Sequence, residues 1–164
     1  MKNAMKDIFQ NAWARRKEGG PITTRKEALI LASIVEKETS LSEERARVAG
    51  VFINRLKRGI RLQSDPTVIY GLTNGIGTLG RALNRTDLNT PNPYNTYLNK
   101  GLPPGPITNP GRASIEAVLN PAETSDLYFV ADGRGGHVFA KTLSAHNENV
   151  GAWRKLRKGH SKMK

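Results

Sequence analysis

Two glutamates, Glu36 and Glu38, lie two positions apart in Leu31-Ala-Ser-Ile-Val-Glu-Lys-Glu-Thr39, and that spacing gives them different surroundings. On an α-helix turning about 100° per residue, Ala28, Leu31, Ile34, Val35 and Glu38 share one sector, whereas Glu36 projects to the side of Arg25 and Lys26. A carboxyl group at the end of an apolar stripe is uncommon unless it is paired or has a task there. Burial raises its pKa, keeps it protonated near neutrality and suits it to general-acid chemistry. Glu38 is therefore the candidate acid and Glu36 a solvated neighbour. The plain alternative is a hydrated glutamate near a helix C-terminus, where the dipole disfavours its charge.

Other segments carry weaker chemical signals. Gln63-Ser-Asp-Pro-Thr67 sets an amide and a carboxylate before a proline, and also reads as a turn or helix start. Tyr94-Asn-Thr-Tyr97 offers stacking faces and a bidentate amide of the kind a carbohydrate site needs, or else a loop anchored by two buried tyrosines. Asp132-Gly-Arg-Gly-Gly136 lies between two β-rich runs and does not lead into a helix, so it is not a phosphate loop. There is no Gly-x-Ser-x-Gly motif and no Walker lysine. The absence of cysteine excludes disulfides, thiolate zinc sites and a cysteine nucleophile. His137, His146 and His160 lack metal-ligand spacing, so no metal or cofactor is expected.

The elements that must position these groups are mostly helical. Residues 2–17 read as a helix with Ile8, Ala12 and Trp13 on one side, and a second helix covers 24–39, opened by the capping-box pair Thr24 and Glu27. Ser40-Leu-Ser-Glu43 repeats that spacing and should open a third helix reaching Arg58, with Val48, Phe52 and Leu56 inward and Gly59 as a left-handed stop. Residues 60–111, broken by Pro and Gly, are expected to be long ordered loops. A short helix over 113–119, strands at 127–131 and 136–140 forming a hairpin, and a helix from Leu143 to about Lys158 complete the chain. The fold class is α+β, helix-rich, with a small antiparallel sheet.

At 164 residues the chain is long enough for one real core. Its net charge of +12, from 26 Lys and Arg against 14 Asp and Glu, favours polyanionic partners: nucleic acid, anionic lipid or an acidic polymer. The cations gather in Arg15-Arg16-Lys17 and in 154–164, while Arg55 to Arg61 closes a helix, where positive charge complements the dipole. No apolar run reaches the ~18 residues of a membrane span, and there is no signal-peptide pattern.

Taken together, several of these segments resemble the YceG-like family of endolytic murein transglycosylases (MltG type). The resemblance rests on Leu31–Thr39, Val51-Phe-Ile-Asn-Arg-Leu56, Arg61-Leu-Gln-Ser-Asp-Pro-Thr-Val-Ile-Tyr-Gly71, Tyr94–Tyr97, Gly101-Leu-Pro-Pro-Gly105, Leu127-Tyr-Phe-Val-Ala-Asp132, Gly135-Gly-His-Val-Phe139 and His146-Asn147. It runs from about residue 6 to residue 157.

The resemblance implies a lytic-transglycosylase-like catalytic domain. Such an enzyme cuts the β-1,4 bond from N-acetylmuramic acid to N-acetylglucosamine within peptidoglycan strands, leaving a 1,6-anhydro-muramic end without using water. The family's catalytic acid maps onto Glu38, which would protonate the leaving oxygen and then, as carboxylate, take the proton of the attacking C6 hydroxyl. Thr39, Gln63, Asp65, Tyr94, Asn95, Tyr97 and His137 are the expected sugar-binding or site-supporting residues. The implied partners are peptidoglycan strands and peptidoglycan synthases, with no nucleic acid. Family members carry a transmembrane helix and a LysM-like module ahead of this domain, at the periplasmic face of the bacterial inner membrane. Residues 1–22 are thus expected to be a linker helix, 23–157 the catalytic domain, and 158–164 a basic disordered tail. A non-catalytic peptidoglycan-binding module and a basic nucleic-acid-binding domain are the rival readings; the basic ends lack interleaved aromatics and any nucleic-acid motif, which weighs against the latter.

Overall fold

The computed structural model describes residues 2–161, with side chains from residue 4 onward. Helix α1 (Lys2–Ala14) turns Phe9 and Ala12 inward. Helix α2 (Arg25–Glu38) begins with the expected reciprocal cap: Glu27 N–H donates to Thr24 Oγ1 at 3.1 Å and Thr24 N–H to the Glu27 carboxylate at 3.0 Å. Helix α3 (Ser42–Lys57) departs from expectation at its start. The Ser40/Glu43 capping box does not form; Leu41 is the cap residue, and its N–H donates to Thr39 Oγ1 at 3.1 Å. At the other end Gly59 takes φ +65°, a conformation that costs glycine little and other residues more.

The region expected to be loop contains two helices, α4 (Asp65–Thr73) and α5 (Arg85–Leu88). Pro66 in the first turn of α4 removes an N–H that would have had no partner there, so the proline starts this helix instead of breaking it. Helix α6 (Arg112–Leu119) is followed by strands β1 (Tyr128–Ala131) and β2 (His137–Ala140), paired antiparallel with Phe129 opposite Phe139 and Ala131 opposite His137. Helix α7 (Leu143–Ser161) packs on both strands. Residues 158–161, expected to be disordered, continue this helix; 162–164 lie outside the described residues.

The core is built where α2, α3 and α6 meet, from Leu31, Ile34, Val35, Val48, Phe52, Ile115 and Val118. Fully burying each such side chain contributes about 1.5–3 kcal/mol. Phe9 and Ala12 of α1 belong to the same cluster, so α1 is part of this core and not only a linker. Gly50 lets the 122–124 segment lie directly on α3: a Cβ there would stand 2.9 Å from the Ala122 carbonyl oxygen. None of the described helices is long and apolar enough to cross a membrane.

Candidate active site

The stripe of α2 delivers Glu38 to a cleft of about 420 Å³, walled by α3, the start of α4, Tyr97, β1, His137 and α7. Ala28, Leu31, Ile34 and Val35 are fully buried behind it, while Glu38 itself is partly accessible from the cleft. Burial lifts the Glu38 carboxyl to about 7, and the negative charge of Asp65 pushes the same way. A hydrogen bond from Ser64 Oγ to Glu38 Oε1, at 2.6 Å, opposes that rise, as do His137 when it carries a proton on both ring nitrogens and the charge of Arg55. At neutral pH about half of such carboxyls hold a proton, the condition of an effective general acid.

Glu36 is not the solvated residue expected from the helical wheel. It accepts hydrogen bonds from Gly111 N–H at 3.0 Å and Ser114 Oγ at 2.5 Å, and so caps the N-terminus of α6. Those bonds hold its pKa below the usual carboxylate range, with Ser114 the main cause. One glutamate of the pair thus anchors a helix and the other faces the cleft.

Ser64 precedes α4 in the N-cap position but makes no side-chain cap, because its hydroxyl is committed to Glu38. It is buried, and its N–H donates to Thr96 Oγ1 at 2.9 Å. Ser64→Ala should therefore raise the pH at which Glu38 ionises. Carbon-13 NMR of the Glu38 carboxyl measures this, and an unchanged titration would show that the hydroxyl does not tune the acid.

Next to Ser64, Gln63 adopts φ +52°, a left-handed conformation that is strained for a side chain of this kind. The neighbouring backbone is held by Arg55, whose Nη1 donates to the carbonyls of Arg61 and Leu62, each at 3.0 Å. Gln63 and Asp65 both line the cleft, and Tyr97 donates its hydroxyl to Asp65 Oδ1 at 2.5 Å. Burial, with the Asp65 carboxylate close by, raises the Tyr97 pKa, so the phenol keeps its proton.

On the opposite wall, His137 is gripped twice by Glu44. Its N–H donates to Glu44 Oε1 at 2.8 Å and its ring Nδ1 lies 2.6 Å from Glu44 Oε2. Thr39, the hydroxyl residue after Glu38, ends α2 and donates to the same Glu44 carboxylate at 3.3 Å. His146 of α7 also lines the cleft, stacked on Tyr128 with ring centroids 5.0 Å apart, and its buried Nδ1 has no hydrogen-bond partner among the described residues. Burial, reinforced by the Arg55 charge, lowers the His146 pKa. Among the described residues no group of three or more His, Asp and Glu is placed to hold a metal ion.

The family model described as the YceG-like family matches residues 1–152. The chain belongs to the YceG-like family. It is 46% identical over 123 residues to an endolytic murein transglycosylase of Bacillus subtilis, covering 73% of this chain and 32% of that protein. It is 41% identical over 130 residues to an endolytic murein transglycosylase of Streptococcus pneumoniae, covering 76% of this chain and 23% of that protein. The chain thus spans about a quarter to a third of the length of these curated relatives. A crystal structure of a yceG-like protein from Listeria monocytogenes superposes with a TM-score of 0.74 at 40% identity, covering 87% of this chain and 44% of that one. The α+β fold expected from the sequence is that of the family.

Within this YceG-like fold, two of the residues expected near sugar stand elsewhere. Tyr94 packs on Tyr70, ring centroids 4.6 Å apart, in a separate hollow with Asn92 and Gly71. Asn95 is fully buried, and its amide works on its own loop: Nδ2 donates to the Leu88 and Thr90 carbonyls, and Oδ1 accepts from Tyr97 N–H. Asn95 therefore shapes the loop that presents Tyr97. The cleft brings together Glu38, Gln63, Asp65, Tyr97 and His137, with Thr39 behind them and Tyr94 outside. Ser64, Glu44, Arg55 and His146 join this YceG-like site only through the fold.

Proposed function

We propose that this chain is the glycan-cleaving part of an endolytic murein transglycosylase. Its bond is the β-1,4 link from N-acetylmuramic acid to N-acetylglucosamine within a strand. The observation that carries the reading is Glu38: a carboxyl lifted to about 7 by burial, yet open to a cleft. Protonated, it donates to the bridging oxygen as the C1–O bond breaks. The muramic C6 hydroxyl then closes on C1, gaining from its fixed proximity, and loses its proton to a base of the site. The carboxylate left on Glu38 is one such base. Asp65, exposed and engaged by Tyr97, supports the cleft and raises the Glu38 pKa without acting as nucleophile.

The same reading sets the whole parent protein on the outer face of the bacterial inner membrane, held by a preceding helix and working beside peptidoglycan synthases. The excess positive charge suits a strand bearing peptide carboxylates.

Mass spectrometry of purified murein incubated with the chain tests the reading. Fragments ending in 1,6-anhydro-muramic acid, one water lighter than hydrolysis products, are expected. Water-added ends would indicate a muramidase, and binding without cleavage a non-catalytic module.

A further inference from the structure

The hold of Glu44 on His137 goes beyond what packing requires. A carboxylate only accepts hydrogen bonds, so its contact with Nδ1, at 2.6 Å, fixes the proton on Nδ1. The second bond, from the His137 backbone N–H to the other carboxylate oxygen, sets the ring's direction. Edge-on contacts with Phe129 and Phe139 restrict its rotation further. Nε2 is then the nitrogen with a free lone pair, it has no protein partner among the described residues, and His137 lines the same cleft as Glu38. The cleft thus holds a proton donor, Glu38, and a preset proton acceptor.

We propose that His137 Nε2 is the base that takes the proton of the attacking hydroxyl, with Glu44 as its positioning residue. The proposal rests on the glycan-cleaving reading and departs from a mechanism run by one carboxyl. The bridging oxygen takes the Glu38 proton as its bond to C1 breaks. The C6 oxygen bonds to C1 and its hydrogen passes to Nε2. Glu38 ends as carboxylate and His137 as imidazolium, and proton exchange with solvent restores both. Charged or titratable groups around His137 are Glu44 and Arg55 from α3, Glu38 from α2, Asp132 from the hairpin turn and His146 from α7.

The test is the pH profile of anhydro-muramic release by the wild type, His137→Asn and Glu44→Gln. Asparagine can still donate to Glu44 near the Nδ1 position but offers nothing at Nε2, and thermal melts show whether the fold is kept. The wild type should give a bell, falling at high pH as Glu38 loses its proton and at low pH as Nε2 gains one. His137→Asn should lose roughly 100-fold or more in rate, the usual scale of general-base catalysis, and lose the low-pH limb. Glu44→Gln can present an amide N–H as well as a carbonyl to Nδ1, so it should no longer hold the proton on Nδ1 and should lower the rate while the fold is kept. A folded His137→Asn with wild-type rate and limb overturns the assignment to His137 and leaves the glycan-cleaving reading intact. A wild type that leaves murein uncut overturns that reading and the base assignment with it. Nitrogen-15 NMR of the imidazole decides the geometry separately: an Nε2–H tautomer in the free protein overturns the proposal, whatever the activity.

Discussion

Glu38→Gln is expected to abolish release of anhydro-muramic ends while making the protein more stable at alkaline pH. Glutamine matches the shape of the carboxyl and can still accept from Ser64 Oγ, but it has no proton to give to a leaving oxygen. Loss of general-acid assistance costs on the order of 10²–10⁴ in rate. The effect on stability comes from the same burial that readies the acid. In the folded chain Glu38 ionises at about 7, against 4.5 for the free side chain. Its folded pKa is raised, so its stabilising contribution is complete below pH 4.5 and is lost as pH rises through 7. The loss amounts to at most about 3 kcal/mol, discounted for the part of the side chain that meets solvent. Glutamine does not ionise and removes this dependence. Urea unfolding of both proteins at pH 5 and pH 9 measures it. The gap between them should move in favour of Glu38→Gln at the higher pH, and a constant gap would mean that Glu38 is not desolvated.

The inward aim of Glu38 is readable in the helical wheel because it depends on residues within one helix. Ala28 to Glu38 form a local stripe, and the helix period alone aims the carboxyl inward. Glu36 departs from the solvated position that the wheel predicts because its partners, Gly111 and Ser114, are 75 and 78 positions away. Ser64 was hidden for another reason. A serine before Asp-Pro is a common helix cap, and only the folded chain shows its hydroxyl turned to a glutamate 26 positions away. Asn95 has the chemistry of a sugar ligand and spends it on neighbouring carbonyls, an outcome that residue type cannot distinguish. Tyr94 and Tyr97 are close in sequence, yet one packs on Tyr70 and the other reaches Asp65. The helix α4 was lost among Pro and Gly, although Asp65-Pro66 is also a start signal. Local periodicity, then, was readable, and polar partnerships across long separations were not.

Arg55 is the residue most affected by that limit, and its removal should damage the fold around the cleft severely. Its place near the end of α3 suggested a hydrated cation complementing the helix dipole, but the side chain is buried. Nε donates to the Leu127 carbonyl at 2.6 Å, and Nη1 to those of Arg61 and Leu62, so one guanidinium joins α3, the entry to α4 and the start of β1. The group also stands 5.0 Å from the ring centre of Tyr128. Arg55→Leu would leave three carbonyls without their donor, each costing about 1–3 kcal/mol where water cannot replace it. A total loss of about 3–5 kcal/mol is expected, read as a lower urea midpoint at an unchanged denaturant slope. Arg55→Lys should recover only part of it, since a single ammonium cannot serve carbonyls converging from two directions as a planar fork does. A loss below about 0.5 kcal/mol for the leucine variant, the range of ordinary surface changes, would sink this account. The same clamp explains how Gln63 can be kept at φ +52°: the carbonyls on its N-terminal side are fixed by Arg55, and its own N–H is fixed by Thr96. Release of Arg55 should let that turn relax, swing Ser64 away from Glu38 and remove the acid's nearest hydrogen-bond partner, so that stability and catalysis fail together.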